Sequence, residues 1–524
     1  VRAFAWNSDG SKLAFLRFDE REVPEFSMDV YGQDLYQYPY VFKYPKAGEA
    51  NAKVSLHIHD LKTKATRDVQ LGEAYYIPRI KWMHHPDHLS VQTLNRHQNR
   101  LTLHRVDASD MQVSTLLEER DEAYVDVTDN LTFLPDDRFI WTSEKDGHNH
   151  VYLHDTDGSQ QYQLTSGPWE VTSYYGYDAE NRRIFYQSSE QGSINRDIYS
   201  VSDRGKRKKR LSTESGTNRA SFSSDFSYFI NTFSNVETPP VYTLHRASDG
   251  ELVRELKHNR NLLETLKGYE MAPKEFSTLQ VNGNDLNMWM IKPADFDPNK
   301  KYPLFMFQYS GPGSQQVANR WHGSRDYWHQ LLASKGYIIA CVDGRGTGLK
   351  GRDFKKVTQL ELGKYEVEDQ IAAARKLSEL PYVDEGRTGI WGWSYGGFMA
   401  ANCILKGNDV FEMAIAVAPV TSWRFYDTIY TERYMHTPQE NPDGYDDNSP
   451  LNFADQLKGE FLLVHGSADD NVHVQNSMRM IEALVQANKP FDWAIYPDKN
   501  HGIYGGNTSL HLYSKMTRFV LENL

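Results

Sequence analysis

Two rhythms of apolar and polar residues divide the chain. From residue 1 to about 255, short runs alternate with period two and break at turn residues. Examples are "AFAWNSDGSKLAFLRF", "RIKWMHHPDHLSVQTL", "NLTFLPDDRFIWTSE", "YGYDAENRRIFYQSS" and "ASFSSDFSYFINTF". Such alternation predicts half-buried antiparallel strands joined by tight turns. Each segment carries an aromatic in matched phase: Trp6, Trp82, Phe133, Tyr177 and Phe222. The last four recur at roughly 45–50 residues, the length of a four-stranded propeller blade. The wider first gap predicts an insertion, and the prolines and tyrosines of "YQYPYVFKYPKAGEANAK" predict that it is irregular. About five blades or parts of blades are expected, in preference to a sandwich of unrelated hairpins.

After "NRNLLETLKG" the rhythm changes. "YPLFMFQY", "YIIACVDG", "TGIWGWS", "FEMAIAVAP", "GEFLLVHG" and "FDWAIYP" are short, continuously apolar runs. Between them lie helix-like stretches such as "EVEDQIAAARKLSEL" and "QNSMRMIEALVQANK". Strands buried on both faces and alternating with helices predict a mostly parallel, doubly wound α/β sheet. The expected domains are therefore 1–259, the C-terminal part of a β-propeller with its N-terminal blades missing, and 260–524, an α/β domain. The chain opens at Val1 inside a strand-like run, which reads as the C-terminal part of something longer.

Ser394 stands where the run "TGIW" meets the helix-like "GGFMAANCILKG", framed as Gly392-Trp393-Ser394-Tyr395-Gly396. G-x-S-x-G between a strand and a helix is the nucleophile elbow of α/β-hydrolases, where flanking side chains would clash. That fold orders its triad as serine, acid, histidine. Asp469 follows the run "FLLVHG" and His501 follows "FDWAIYP", both past strand ends where α/β sheets hold functional residues. His501 is expected to act as general base and Asp469 to orient it, with Asp470 as the rival acid. The Tyr395 amide and the Tyr309 hydroxyl, the latter in "FQYSGPGSQ", are expected as oxyanion donors.

Residues 302–524 resemble the catalytic domain of the dipeptidyl peptidase IV branch of the prolyl oligopeptidase family. The matching stretches are "YSGPGSQ", "DGRGTG", "GKYEVEDQI", "GWSYGG", "VAPVTSWRFYDTIYTERYM", "HGSADDNVH" and "DKNHG". Upstream, "EVPEF", "YPKAGEAN" and "SGPWEVT" resemble that branch's propeller. The resemblance implies a propeller capping an α/β-hydrolase, and removal of N-terminal dipeptides ending in Pro or Ala. It assigns Ser394, Asp469 and His501 to the triad and Tyr309 to the oxyanion site. It also assigns Tyr395, Val420, Trp423, Tyr426, Tyr430, Asn471 and Val472 to the surroundings of the proline pocket. A box of aromatics suits a flat, apolar pyrrolidine ring, whereas "WRFYDTIY" alone reads as a helix packing its aromatics inward. The family's paired glutamates, which hold the substrate's α-ammonium, would fall just upstream of Val1. The adjacent pair Glu118-Glu119 matches nothing in that motif and reads as a solvated hairpin edge. The resemblance further implies a homodimer, through the C-terminal helix and an excursion around residues 57–80, and a secreted, periplasmic or cell-surface location. On that helix Leu512, Met516, Phe519 and Leu521 are expected on roughly one face, which could equally pack on its own sheet.

Composition narrows the alternatives. A net charge of −12 over 524 residues excludes a nucleic-acid surface, which needs clustered Lys and Arg. The basic run at 204–211 reads as an exposed loop, and "DGRGTGLKG" lacks the ending of a phosphate loop. The histidines at 84, 85, 88, 148 and 150 lack partners at zinc-ligand spacing, so no metal or other cofactor is expected. Cys341 and Cys403 both lie in apolar runs and read as small buried hydrophobes. Two other functions remain open from the residues: a prolyl endopeptidase or acylpeptidase on the same fold, and a propeller binding module without catalysis.

Overall fold

The computed structural model describes residues 3–269 and 271–524. The first two positions of the predicted opening strand lie outside the described residues. The first half consists of five successive four-stranded antiparallel sheets. Trp6, Trp82, Phe133, Tyr177 and Phe222 each lie on the first strand of their own sheet. Apolar side chains of one sheet meet those of the next. Leu56 and Ile58 of the first pack with Leu89 and Val91 of the second. Leu101 and Leu103 of the second meet Phe139 and Trp141 of the third. The third and fourth share Leu153 and Tyr186, and the fourth and fifth share Ile198 and Phe229. Face-to-face stacking of four-stranded sheets is how propeller blades bury their apolar faces.

The insertion differs from the expectation. Instead of an irregular excursion, Glu25–Val30 and Tyr38–Lys43 pair as an antiparallel hairpin between the second and third strands of the first blade. Phe26 faces Phe42 and Met28 faces Tyr40, and such cross-strand pairs stabilise a ribbon. A partner also covers one face: the Phe26 ring stacks on His473 of the second domain, with centroids 3.4 Å apart. Residues 57–80, expected to protrude, are built into blade strands, including Ala65–Val69 and Tyr76–Trp82.

The propeller half ends with Leu252–Lys257, and a helix, Arg260–Leu266, leads to the second domain. Its eight-stranded sheet runs in space as Lys274–Val281, Asn284–Ile291, Ile338–Asp343, Tyr302–Phe307, Val383–Trp393, Met413–Val417, Glu460–Gly466 and Asp492–Tyr496. The pairings from Tyr302–Phe307 onward are parallel, and the first two strands are antiparallel. Leu304 and Met306 join one core, Phe305 and Phe307 the other. Both faces are thus covered, which is why these strands read as unbroken apolar runs. The two cysteines are free and fully buried, Cys403 in the first of these cores and Cys341 in the second.

The final helix, Thr508–Asn523, lays Leu512, Met516, Phe519 and Val520 against its own sheet. Leu521, expected on that face, is 45% exposed. Nine residues after Leu512 is two and a half turns at 3.6 residues per turn, so its side chain points the opposite way.

Candidate active site

The elbow is built from three glycines and one strained serine. Ser394 sits between the strand Val383–Trp393 and the helix Tyr395–Lys406, with φ 61° and ψ −118°. This left-handed backbone is costly for a residue with a Cβ. It holds because the chain closes tightly around it. A Cβ on Gly392 would stand 2.3 Å from the Gly396 carbonyl oxygen, and one on Gly396 would stand 2.6 Å from that of Gln308. One on Gly397 would stand 2.8 Å from the Val417 carbonyl oxygen. The Ser394 N–H donates to the Val417 carbonyl at 2.8 Å, fixing the turn to the next strand.

Asp469, not Asp470, faces the histidine. Its carboxylate Oδ2 lies 2.7 Å from His501 Nδ1. Asp469 is fully buried, whereas Asp470 is exposed. The other carboxylate oxygen accepts the Asn471 and Val472 backbone N–H groups at 3.0 and 2.9 Å. Burial alone would raise the Asp469 carboxyl, but hydrogen bonds and charge from His465 and His501 hold it down at about 2. The anion is therefore the stable form opposite His501. The His501 carbonyl accepts from Trp393 Nε1 at 2.9 Å, tying the histidine loop to the residue before the nucleophile.

Ser394, His501 and Tyr309 line one cleft of about 640 Å³, with Tyr426 and Asn471 at its wall. Burial raises the Tyr309 phenol above its ordinary value, while a hydrogen bond with Ser394 acts against the rise. Tyr395 is the first residue of its helix. Its amide belongs to the turn whose N–H groups lack intrahelical partners, so the helix presents it toward the elbow.

The expected pocket residues converge. Trp423 stacks on Tyr430 at 5.9 Å and meets Tyr395 at 5.3 Å, and Tyr426 meets Tyr430 edge-on at 5.4 Å. Val420 and Val472 are buried in the same core. The Tyr426 hydroxyl donates to Asn471 Oδ1 at 2.8 Å. Asp427 caps the helix Thr428–Met435 by accepting the Tyr430 N–H at 2.9 Å. This stretch does pack its aromatics inward, and Tyr426, just before the helix, lines the cleft wall.

Sequence reasoning missed what supports this wall. The loop after the inserted hairpin reaches the pocket: the Ala47 N–H donates to the Tyr426 carbonyl at 2.9 Å, and the Tyr44 hydroxyl to the Asn471 carbonyl at 3.1 Å. The stretch "YPKAGEAN" was legible as a family match, but its contacts join positions about 380 to 430 apart in the chain. Two buried carboxylates, Glu366 and Glu432, also escaped notice because each reads as an ordinary helix-surface residue.

The adjacent acidic pair corrects the sequence reading. Glu118 does lie at a solvated edge with Arg100 and Arg120. Glu119 turns inward and accepts from Trp141 Nε1 at 2.8 Å, and burial raises its carboxyl. It lines a charged cavity of about 760 Å³ between the blades and the second domain. Lys355 and Lys356 enter this cavity from the second domain. Lys355 meets Asp126 at 2.6 Å, and Lys356 meets Asp121 at 2.9 Å and Glu144 at 3.0 Å. The "DGRGTGLKG" loop serves the same docking: the Gly351 N–H donates to Glu170 of "SGPWEVT" at 2.9 Å.

The histidines weighed for metal have protein partners. His84 meets the Phe133 carbonyl, His85 stacks with His88, and His150 sits between Thr165 and the Gly167 carbonyl. Among the described residues no cluster of ligating side chains could hold a metal ion.

A strained serine elbow, a buried Asp469 paired with His501 past later strand ends and a stacked-blade half define a propeller joined to an α/β-hydrolase domain. Residues 1–240 match the dipeptidyl peptidase IV N-terminal region, and residues 324–524 match the prolyl oligopeptidase family. Porphyromonas gingivalis dipeptidyl peptidase 4 is 48% identical, with a TM-score of 0.97 covering 99% of this chain and 74% of that one. A relative from Phaeosphaeria nodorum named "Probable dipeptidyl-aminopeptidase B" is 35% identical over 98% of this chain. The chain spans 60% of that relative's length. It belongs to the dipeptidyl peptidase IV branch of the prolyl oligopeptidase family.

Proposed function

We propose that the full-length protein is a serine exopeptidase that releases N-terminal X-Pro or X-Ala dipeptides through an acyl-enzyme. The observation that carries this reading is His501, held by the buried Asp469, in a cleft shared with Ser394 and walled by aromatics. Ser394 Oγ attacks the scissile carbonyl as His501 takes its proton. The Tyr309 hydroxyl and the Tyr395 amide receive the developing oxyanion. His501 returns the proton to the leaving amine, and water then repeats the sequence on the ester. Trp423, Tyr426 and Tyr430 take the pyrrolidine ring, whose flat apolar faces match a box of aromatics. Free and N-blocked Gly-Pro chromogenic amides test the reading on the full-length protein. Cleavage of the free form alone is expected. Cleavage of both supports an endopeptidase, and cleavage of neither a binding module.

The homodimer implied by the resemblance would use the inserted hairpin rather than residues 57–80, which belong to the blades. Leu35 and Tyr36 at its tip are 89% and 81% exposed, apolar surface of the kind a second copy covers. Light scattering at micromolar concentration should report a dimer, and a monomer alone would reject it.

A further inference from the structure

Glu366 is a fully buried carboxylate that the proposed chemistry does not use. It lies in the first turn of the helix Tyr365–Ser378, in "GKYEVEDQI". Its Oε1 accepts the Tyr395 hydroxyl at 2.6 Å, and its Oε2 accepts the Gly363 N–H at 3.1 Å. Other buried polar residues of this helix point elsewhere. Asp369 pairs with Arg345 and Asn282, and Gln370 donates to the Val342 carbonyl. Glu366 turns toward the residue that follows the nucleophile.

Tyr395 is held at both ends. Its main chain begins the elbow helix, where the Phe398 N–H donates to the Ser394 carbonyl at 3.0 Å. Its ring is wedged against Trp423, Phe398 and Tyr309, at 5.3, 5.5 and 6.1 Å. Strained backbone persists only where its surroundings over-determine it, and Ser394 is such a residue. Gly363 closes the clamp from the other side, since a Cβ there would stand 2.4 Å from Phe398 of the elbow helix.

We infer that Glu366 is a positioning residue: through the Tyr395 hydroxyl it fixes the Ser394–Tyr395 peptide, and so the direction of the oxyanion-donating amide. This rests on the proposed role of Ser394 as nucleophile. An O–H···O bond of 2.6 Å in a dry site is short and strong. Burial pushes the Glu366 carboxyl up to about 7, while the Tyr395 hydroxyl and the Gly363 N–H pull it back. Asp369 of the same helix raises it further, and Lys406, at the far end of the elbow helix, bonds the Asp447 carbonyl and feels Glu366 only through its charge. A carboxylate kept here against its solvation cost implies use beyond packing.

The test uses Tyr395→Phe, Glu366→Gln and the double variant of the full-length protein. Fluorophosphonate labelling of Ser394 is read first, because it needs the elbow and not a dipeptide. Each single variant should slow labelling about tenfold, the worth of one hydrogen bond, with the melting temperature kept. The double variant should lose no more than either single one. Turnover of Gly-Pro amide should fall in the same proportion. Labelling within twofold of the parent in both singles, or losses that multiply in the double, would overturn the inference. Tyr395→Phe removes a single oxygen and decides the matter if Glu366→Gln fails to fold. A parent that labels at Ser394 but ignores Gly-Pro amide sinks the exopeptidase reading and leaves the labelling comparison intact.

Discussion

Arg96 of the second blade grips Glu432 of the pocket helix through two hydrogen bonds, Nε to Oε2 and Nη2 to Oε1, each 2.7 Å long. Glu432 is fully buried, and its Oε1 also accepts the Gly48 N–H at 2.7 Å. One carboxylate thus fastens the helix that carries Tyr430 both to a blade loop and to the loop that follows the inserted hairpin. The propeller half helps hold the helix that carries Tyr430.

Removing that grip should therefore reach the pocket. Arg96→Ala leaves Glu432 buried with a single backbone donor, and breaking a buried pair costs about 3–5 kcal/mol. The expected outcome is a lower melting temperature with a raised KM for Gly-Pro amide and a smaller change in kcat. Steady-state kinetics and calorimetry on one preparation check this. An unchanged KM beside a lowered melting temperature would confine the pair to docking.

Ser394→Ala removes the hydroxyl and nothing else. Turnover should drop by roughly 10⁴–10⁶ while the fold stays intact. Amidase assays and circular dichroism are sufficient. Residual rates near those of the parent, or a stoichiometric fluorophosphonate adduct on another serine, would remove Ser394 from the nucleophile's role.

Tyr430→Ala opens the wall against which Trp423 and Tyr426 pack. Large-to-small changes of an aromatic cost about 3–5 kcal/mol where the site cannot collapse. Activity on Pro substrates should fall, and discrimination against bulkier penultimate residues should weaken. Equal discrimination in parent and variant would place Tyr430 outside the pocket.

Asp469 ties stability to acid pH. Its folded value of about 2 lies below the ordinary carboxylate value near 3.9. A depressed acid stabilises the fold above its unfolded value and loses that contribution as pH falls through its folded value. The window is thus from about pH 4 down to about pH 2, and the contribution above it is on the order of 2–3 kcal/mol. Asp469→Asn should remove it: the stability gap between parent and variant should shrink across that window. A gap constant from pH 5 to pH 2.5 would contradict the assignment.

Much of this protein is set by its sequence, because the relevant signals are local. Period-two runs with a phased aromatic produce blades, since a strand with one apolar side must stack that side on a neighbour. Continuous apolar runs produce a sheet covered on both faces. The elbow is legible because its glycine frame spans only five residues: a Cβ on Gly392 would overlap the Gly396 carbonyl oxygen inside the turn itself, whereas Gly396 is held to glycine by the Gln308 carbonyl just past the neighbouring strand. Asp469 and His501 follow because a parallel sheet delivers residues past its strand ends to one edge. What tertiary structure alone decided depends on contacts between distant segments. Setting aside the rival Asp470, one position along, needed the burial of Asp469 and the exposure of its neighbour. Residues 25–43 form a ribbon with one face covered because His473, about 450 positions later, stacks on Phe26. Glu366 and Glu432 look like solvated surface in the sequence, and become buried only when a second segment closes over them. A charge carries no local sign that its partner lies in another domain, because the burial that makes it matter is created by the packing itself.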